Sequence, residues 1–371
     1  MESAHWVGNQ NEPHPQQVVI LAGPHKTASS TIQYNLMRWF EDKNDTLLLQ
    51  KRWSFSSPIK TFQKQGCSRA LQYPYQVYYW MVRAMIRSNH TACSSNESSG
   101  KVIYEPEQML QLYTKRFNES WSRGKSIVIA TEAIDFANSI RYDGTPNQFL
   151  LRFLGLLPFT SAENITEKVT AVIMYRSPRI EHLQSMWHQH QKAQRNHNVT
   201  FSQYLENLSS YLDMLTSLDS FNLMEQCLKH GMKVILIDMS GVKRHGKDVS
   251  RVVACEVLGG DCQDGHQSGD TVQINVANKS RQDIEMDVTK DKLIQMNEAI
   301  KSYDCHFCSW LEKSRGKFAI LYPSFELRRF LVKCQKHRQS SNSSAVLSLE
   351  RARWDLSVEL RTILRSKSSK Q

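Results

Sequence analysis

The sequence predicts an α/β protein built on a parallel sheet with helices on both faces, and two observations carry that expectation. Four short runs, Val18 to Ala22, Ser126 to Thr131, Val169 to Tyr175 and Lys233 to Met239, are strand-length, apolar and rich in β-branched residues. Near-continuous apolar runs suit strands covered on both faces, which is the habit of parallel sheets. Segments of helical periodicity lie between them, as the crossovers of parallel strands require. Ligands of such sheets bind beyond the carboxyl ends of the strands, so the polar residues after each run are the first candidates for function.

The first run leads into the most informative stretch, Val18 to Gln33, VVILAGPHKTASSTIQ. Gly23 and Pro24 mark a tight turn; His25 and Lys26 then lead Thr27, Ala28, Ser29, Ser30 and Thr31 into an amphipathic helix from Ile32 to Phe40. The first N–H groups of a helix lack internal partners and its dipole is positive there, so a lysine and several hydroxyls at that point form an anion cradle. One or two hydroxyls serve to cap a helix; this stretch has four. The standard phosphate-loop spacing G-x-x-x-x-G-K-[ST] is absent.

His25, Lys26, Thr27, Ala28, Ser29 and Ser30 resemble the phosphosulfate loop of the sulfotransferase family in its H-K-T form, with Ala28 where many members carry Gly. The resemblance implies a P-loop-like sheet in a three-layer α/β/α arrangement. It also implies an enzyme that moves a sulfuryl group from 3′-phosphoadenylyl sulfate to a hydroxyl. Under it, Lys26 serves the bridging oxygen of the donor, and Thr27, Ser29, Ser30, Thr31 and the loop amides hold the 5′-phosphosulfate. The H-K-T form points to the carbohydrate branch of the family, hence to a glycan acceptor.

A second anion site is expected at the end of the third run. Arg176 and Pro178 there, with Ser185 and Trp187 on the helix that follows, match in type the family element that holds the 3′-phosphate. A planar guanidinium offers two parallel donors to a phosphate. The usual family offset from the arginine falls on Gln184, one residue before Ser185, which is about 100° around a helix. The two residues are therefore alternatives. The acceptor's proton needs a base. Glu132, directly after the second run, is the first choice and His25 the alternative. No metal is expected: His182, His188 and His190 read as solvated helix surface, and Cys305 and Cys308 have no second C-x-x-C to complete a zinc site. Cys255 and Cys262 are spaced to close a small loop.

A chain of 371 residues can bury a full core, and 22% charged with 40% apolar residues marks a folded chain rather than a disordered one. The net charge of +11 favours anionic partners, but no nucleic-acid module is visible and none is expected as a partner. Nine N-x-[ST] sequons, at Asn44, Asn89, Asn96, Asn118, Asn164, Asn198, Asn207, Asn278 and Asn342, together with eight cysteines, point to the secretory pathway and the Golgi lumen. No membrane span or signal peptide is legible, which read literally leaves a soluble, cytoplasmic protein as the alternative; under the secretory reading a membrane anchor is expected outside this sequence. Residues 1–17 read as a disordered lead, 18–339 as the α/β domain, and 340–371 as a polar linker followed by a helix with Leu349, Ala352, Leu356, Leu360 and Ile363 on one face. Residues 47–66 and the chain after 240 carry little regular pattern, apart from helical periodicity over 290–303 and the C-terminal helix. Two rival functions share this pattern: a small-molecule kinase that offers Asp238 for magnesium, and a non-catalytic lumenal binder of acidic glycans.

Overall fold

In a computed structural model the chain is described over residues 15–22, 29–41, 49–56, 114–115, 117–130, 167–176, 179–193, 199–210, 220–262, 288–305, 316–340 and 349–366. Six parallel strands form one sheet: β1 (Val18–Ala22), β2 (Trp53–Ser56), β3 (Ser126–Ala130), β4 (Val169–Tyr175), β5 (Lys233–Asp238) and β6 (Phe318–Leu321), in the spatial order β2-β3-β1-β4-β5-β6. Each of the four apolar runs is a strand, with the second and fourth one residue shorter than the sequence suggests.

The sequence reading needs correction at both edges of the sheet, where β2 and β6 are unexpected. Each has four residues. β6 is a four-residue apolar run, Phe-Ala-Ile-Leu, too short to stand out and half-buried throughout, and β2 alternates Trp and Phe with Ser, so neither presents the longer apolar run that betrays an inner strand. A further helix, Phe325–Ser340, also lies in a stretch that carries little regular pattern.

Successive side chains of a strand point to opposite faces, and the core divides accordingly. Val18, Ile20, Ile127, Ile129, Ala171, Ile173, Val234 and Leu236 join one apolar cluster; Val19, Leu21, Val128, Val172, Met174 and Ile237 join another. Helix α1 (Ser29–Glu41) adds Ile32 and Leu36 to the second cluster, as does the short α2 (Leu49–Arg52) through Leu49. Helices α3 (Arg179–Ala193), α4 (Phe201–Ser210) and α5 (Ser220–Lys229) pack into the first through residues such as Leu183, Phe201 and Met224.

After β5 the chain returns to the second cluster. There α6 (Met239–Arg244), α7 (Val249–Val252) and a π-helical turn, Val253–Val257, bring in Val242, Val252 and Ala254. Then α8 (Lys290–Cys305), α9 (Phe325–Ser340) and α10 (Leu349–Arg365) cover the first cluster again. Leu356, Leu360 and Ile363 of α10 are buried in it. The Lys292 ammonium donates to the Leu364 carbonyl at 2.6 Å, and Arg365 faces Glu206 of α4 at 3.6 Å. The C-terminal helix therefore docks on the body of this chain.

Asp238 ends β5 and starts α6. It is fully buried, and its carboxylate accepts from the amides of Ser240 at 3.0 Å, Gly241 at 3.4 Å and Ser324 at 2.9 Å, tying the exits of β5 and β6 together. The approach is so close that a Cβ on Gly241 would lie 1.6 Å from the Tyr322 carbonyl oxygen. Tyr322 itself takes a left-handed φ of 53°, which a non-glycine residue adopts only when its surroundings hold it there.

Candidate functional site

The strand order creates a switch point between β1 and β4. From β1 the chain continues toward β2 on one side of the sheet, and from β4 toward β5 on the other. Connections that diverge in this way leave a crevice at the carboxyl ends of the two strands, the usual place for a ligand in an open α/β sheet.

The segments that leave the strands at this crevice carry the residues singled out by their chemistry. Ala22 ends β1 and α1 opens at Ser29, so the loop that carries His25, Lys26, Thr27 and Ala28 spans the gap between them in sequence; these four residues lie outside the described residues. The backbones of Ser29 and Ser30 form the first turn of α1, and Thr31 behind them is buried. Glu132 also lies outside the described residues, two positions after Ala130 ends β3. Because Leu21 pairs with Ala130 and Ala22 with Ile173, the carboxyl ends of β3, β1 and β4 are immediate neighbours, about 4.8 Å apart from strand to strand.

Arg176 leaves β4 three residues after the partner of Ala22, roughly 10 Å further along the strand direction. It is half-buried. Burial pulls its guanidinium below the ordinary value, and Glu181 in the first turn of α3 pulls it back up. A cation that has given up part of its hydration gains more from an anion than an exposed one does.

Ser185 and Gln184 both sit half-buried on α3, about 100° apart, and both stay open as the residue that serves Arg176. Trp187 is part of the core instead. It is 2% exposed, packs on Phe201 with ring centroids 5.3 Å apart, and donates from Nε1 to the Val199 carbonyl at 2.8 Å. His182 corrects the sequence reading, since it is 1% exposed rather than solvated. Helix α3 contacts both α4 and α8 besides the sheet, so its buried arc is wider than its few apolar residues suggest. His188 is half-buried against the Trp187 ring, and the side chain of His190 lies outside the described residues. Among the described residues no group of three or more His, Cys, Asp or Glu is arranged to hold a metal.

Gln33 is the residue that sequence reasoning passes over. It lies one turn beyond Ser29, is 3% exposed, and its Oε1 accepts no hydrogen bond among the described residues. On the other flank of α1, Asn35 is fully buried and donates to Ser250 Oγ at 3.1 Å. The only sequence signal for Gln33 is a polar residue between Ile32 and Leu36, on the side of α1 that faces the sheet.

Comparison with protein-family models and with curated protein sequences finds no match for this chain.

Proposed function

We propose that this chain is a sulfotransferase with a P-loop-like, three-layer α/β/α architecture, which transfers the sulfuryl group of 3′-phosphoadenylyl sulfate to a hydroxyl of a carbohydrate. The observation that carries the reading is the meeting of two features at one crevice. The sequence His25-Lys26-Thr27-Ala28-Ser29-Ser30 connects β1 to α1, and Arg176 follows the neighbouring strand β4. The donor carries anionic groups on the 3′ and 5′ positions of its ribose, and the segments after these two neighbouring strands each carry a cation, Lys26 and Arg176. The division of the core into two clusters agrees with helices on both faces of the sheet.

Sulfuryl transfer asks little covalent chemistry of a protein. As in phosphoryl transfer, charge on the moving group and the leaving oxygen must be neutralised and the acceptor held in line. In this scheme Lys26 and the amides at the start of α1, with Thr27, Ser29, Ser30 and Thr31, hold the sulfated phosphate, and Lys26 balances charge on the leaving oxygen. Arg176 with Ser185 or Gln184 holds the 3′-phosphate. Glu132 removes the acceptor's proton, with His25 as the alternative base. The residues after the neighbouring ends of β3 and β1 are then on hand for one hydroxyl.

The kinase alternative needs a carboxylate near a neighbouring strand end for magnesium. Asp238 is a poor donor for that purpose, because both of its oxygens already accept from backbone amides in a buried cap. The sequons and cysteines favour the Golgi lumen, and the loops that would choose among acceptors, 47–74, 88–105 and 259–280, lie for the most part outside the described residues.

Glu132→Gln tests the enzyme against the glycan binder. Turnover should fall by about 10²- to 10⁴-fold while affinity for adenosine 3′,5′-bisphosphate stays the same. A variant with unchanged turnover removes Glu132 from the mechanism. A thermal shift with the bisphosphate that exceeds the shift with ATP and magnesium favours the sulfotransferase; the reverse order favours the kinase.

A further inference from the structure

We infer that Asn118 is an N-glycan acceptor, placed at the edge of the sheet opposite the catalytic crevice. The inference rests on the lumenal reading above for its setting, but its own argument is local. Asn118-Glu119-Ser120 is a sequon, and Asn118 and Glu119 are exposed in the helical segment 117–122, before which 114–115 are helical as well. The same segment is anchored from its other side. Phe117 is 2% exposed in the core, and Trp121 packs partly against the same cluster. A sugar on Asn118 therefore points into solvent without disturbing the packing that holds the segment.

The position along the sheet follows from hydrogen bonds. Gly124 at φ 74° donates to the Trp121 carbonyl at 2.9 Å and Lys125 to the Ser120 carbonyl at 3.1 Å, so the segment ends in a tight turn that runs straight into Ser126, the first residue of β3. Ser120 Oγ donates to Ser54 Oγ at 2.9 Å, and Ser54 pairs with Ile127. Asn118 therefore lies beside the amino ends of β2 and β3, whereas Arg176 and the loop after β1 follow the carboxyl ends. The glycan flanks the edge strand β2 and leaves the crevice open. Carbohydrate beside an edge strand also hinders strand-to-strand association.

In the modification, Asn118 Nδ2 bonds to the anomeric carbon of a lipid-diphosphate-linked oligosaccharide. The bond from that carbon to the diphosphate oxygen breaks, the lipid diphosphate leaves with the electron pair, and the amide gives up one proton. Trypsin cuts after Arg116 and Arg123 and isolates the site as the peptide 117–123, FNESWSR.

The test expresses the full chain behind a cleavable secretion leader in cultured animal cells, removes glycans with peptide-N-glycosidase in ¹⁸O-water, and reads each sequon by mass spectrometry. The inference expects peptide 117–123 to carry labelled Asp at position 118, and Asn118→Gln to remove one step of gel mobility. It also expects deglycosylation under native conditions to leave bisphosphate binding unchanged. Recovery of 117–123 unmodified while other sequons are labelled overturns the site and leaves the lumenal reading standing. Recovery with every sequon unmodified overturns both. Loss of the Asn118→Gln protein to misfolding is separated from loss of the glycan by Ser120→Thr, which keeps the sequon and must keep the label.

Discussion

A buried amide oxygen that lacks a donor costs about 1–3 kcal/mol, and among the described residues the Gln33 oxygen, on the helix that opens the proposed phosphosulfate site, accepts no hydrogen bond. Methionine matches glutamine in length without the polar atoms. Gln33→Met should therefore raise stability in urea unfolding by about 1 kcal/mol. If the oxygen serves a ligand, the same variant should bind donor or acceptor several-fold more weakly. Stability that rises while both affinities hold would make Gln33 a residue of the core alone. Asp238 is the contrasting case, a buried carboxylate whose acceptor positions are filled by amides, which makes it a joint between β5, α6 and the segment after β6.

At the scale of elements, the segment from α6 to the π-helical turn acts as a strap across one face of the sheet. Cys255 and Cys262 form a disulfide with Cα atoms 5.7 Å apart. Within the loop it closes, the Leu258 carbonyl accepts from Trp53 Nε1 at 2.9 Å, and Trp53 begins β2. Replacing both cysteines with serine should lower stability by about 2.5 kcal/mol, the chain-entropy value for so short a loop. A change near zero would mean that the strap holds without its staple.

The strap also meets the residue after β6 through Lys247, Glu256 and Tyr322. Lys247 donates to Tyr322 Oη and, at 3.0 Å, to Glu256, and the Tyr322 hydroxyl donates to Glu256. The hydrogen bond to Tyr322 raises the Lys247 ammonium above its ordinary value of 10.5, and burial followed by Glu256 raises the Tyr322 phenol above 10.0. Both groups hold their protons more tightly in the folded chain. Their contribution to stability is complete below about pH 10 and is lost as pH rises through the folded values. Chemical denaturation between pH 9 and 11.5 should show a fall in stability that Tyr322→Phe makes shallower. An identical slope in the variant would exclude the cluster as its source.

For the whole molecule, the inner sheet was legible because β1, β3 and β4 are buried from end to end and β5 over most of its length, and burial on both faces leaves a nearly continuous apolar run in the sequence. The edges were not legible. Four half-buried residues of β6 look like any short apolar patch, and β2 reads as alternating Trp and Phe in a polar stretch. The same physics explains the error at His182 on α3, which is buried by the tertiary packing of neighbouring helices that no local period encodes. The candidate site rests on chemistry rather than pattern. Hydroxyls and cations placed just after strand ends stand out in sequence, while Gln33 gains interest only from its burial.

Two anion sites at the neighbouring ends of β1 and β4 are the centre of this account, and calorimetric titration with adenosine 3′,5′-bisphosphate measures them most directly. The account expects the wild-type chain to bind the bisphosphate, and Arg176→Ala to bind about 10- to 100-fold more weakly, the worth of one charge-assisted phosphate contact, with unfolding stability retained. Absence of binding by the wild-type chain, or equal binding by both, would contradict it.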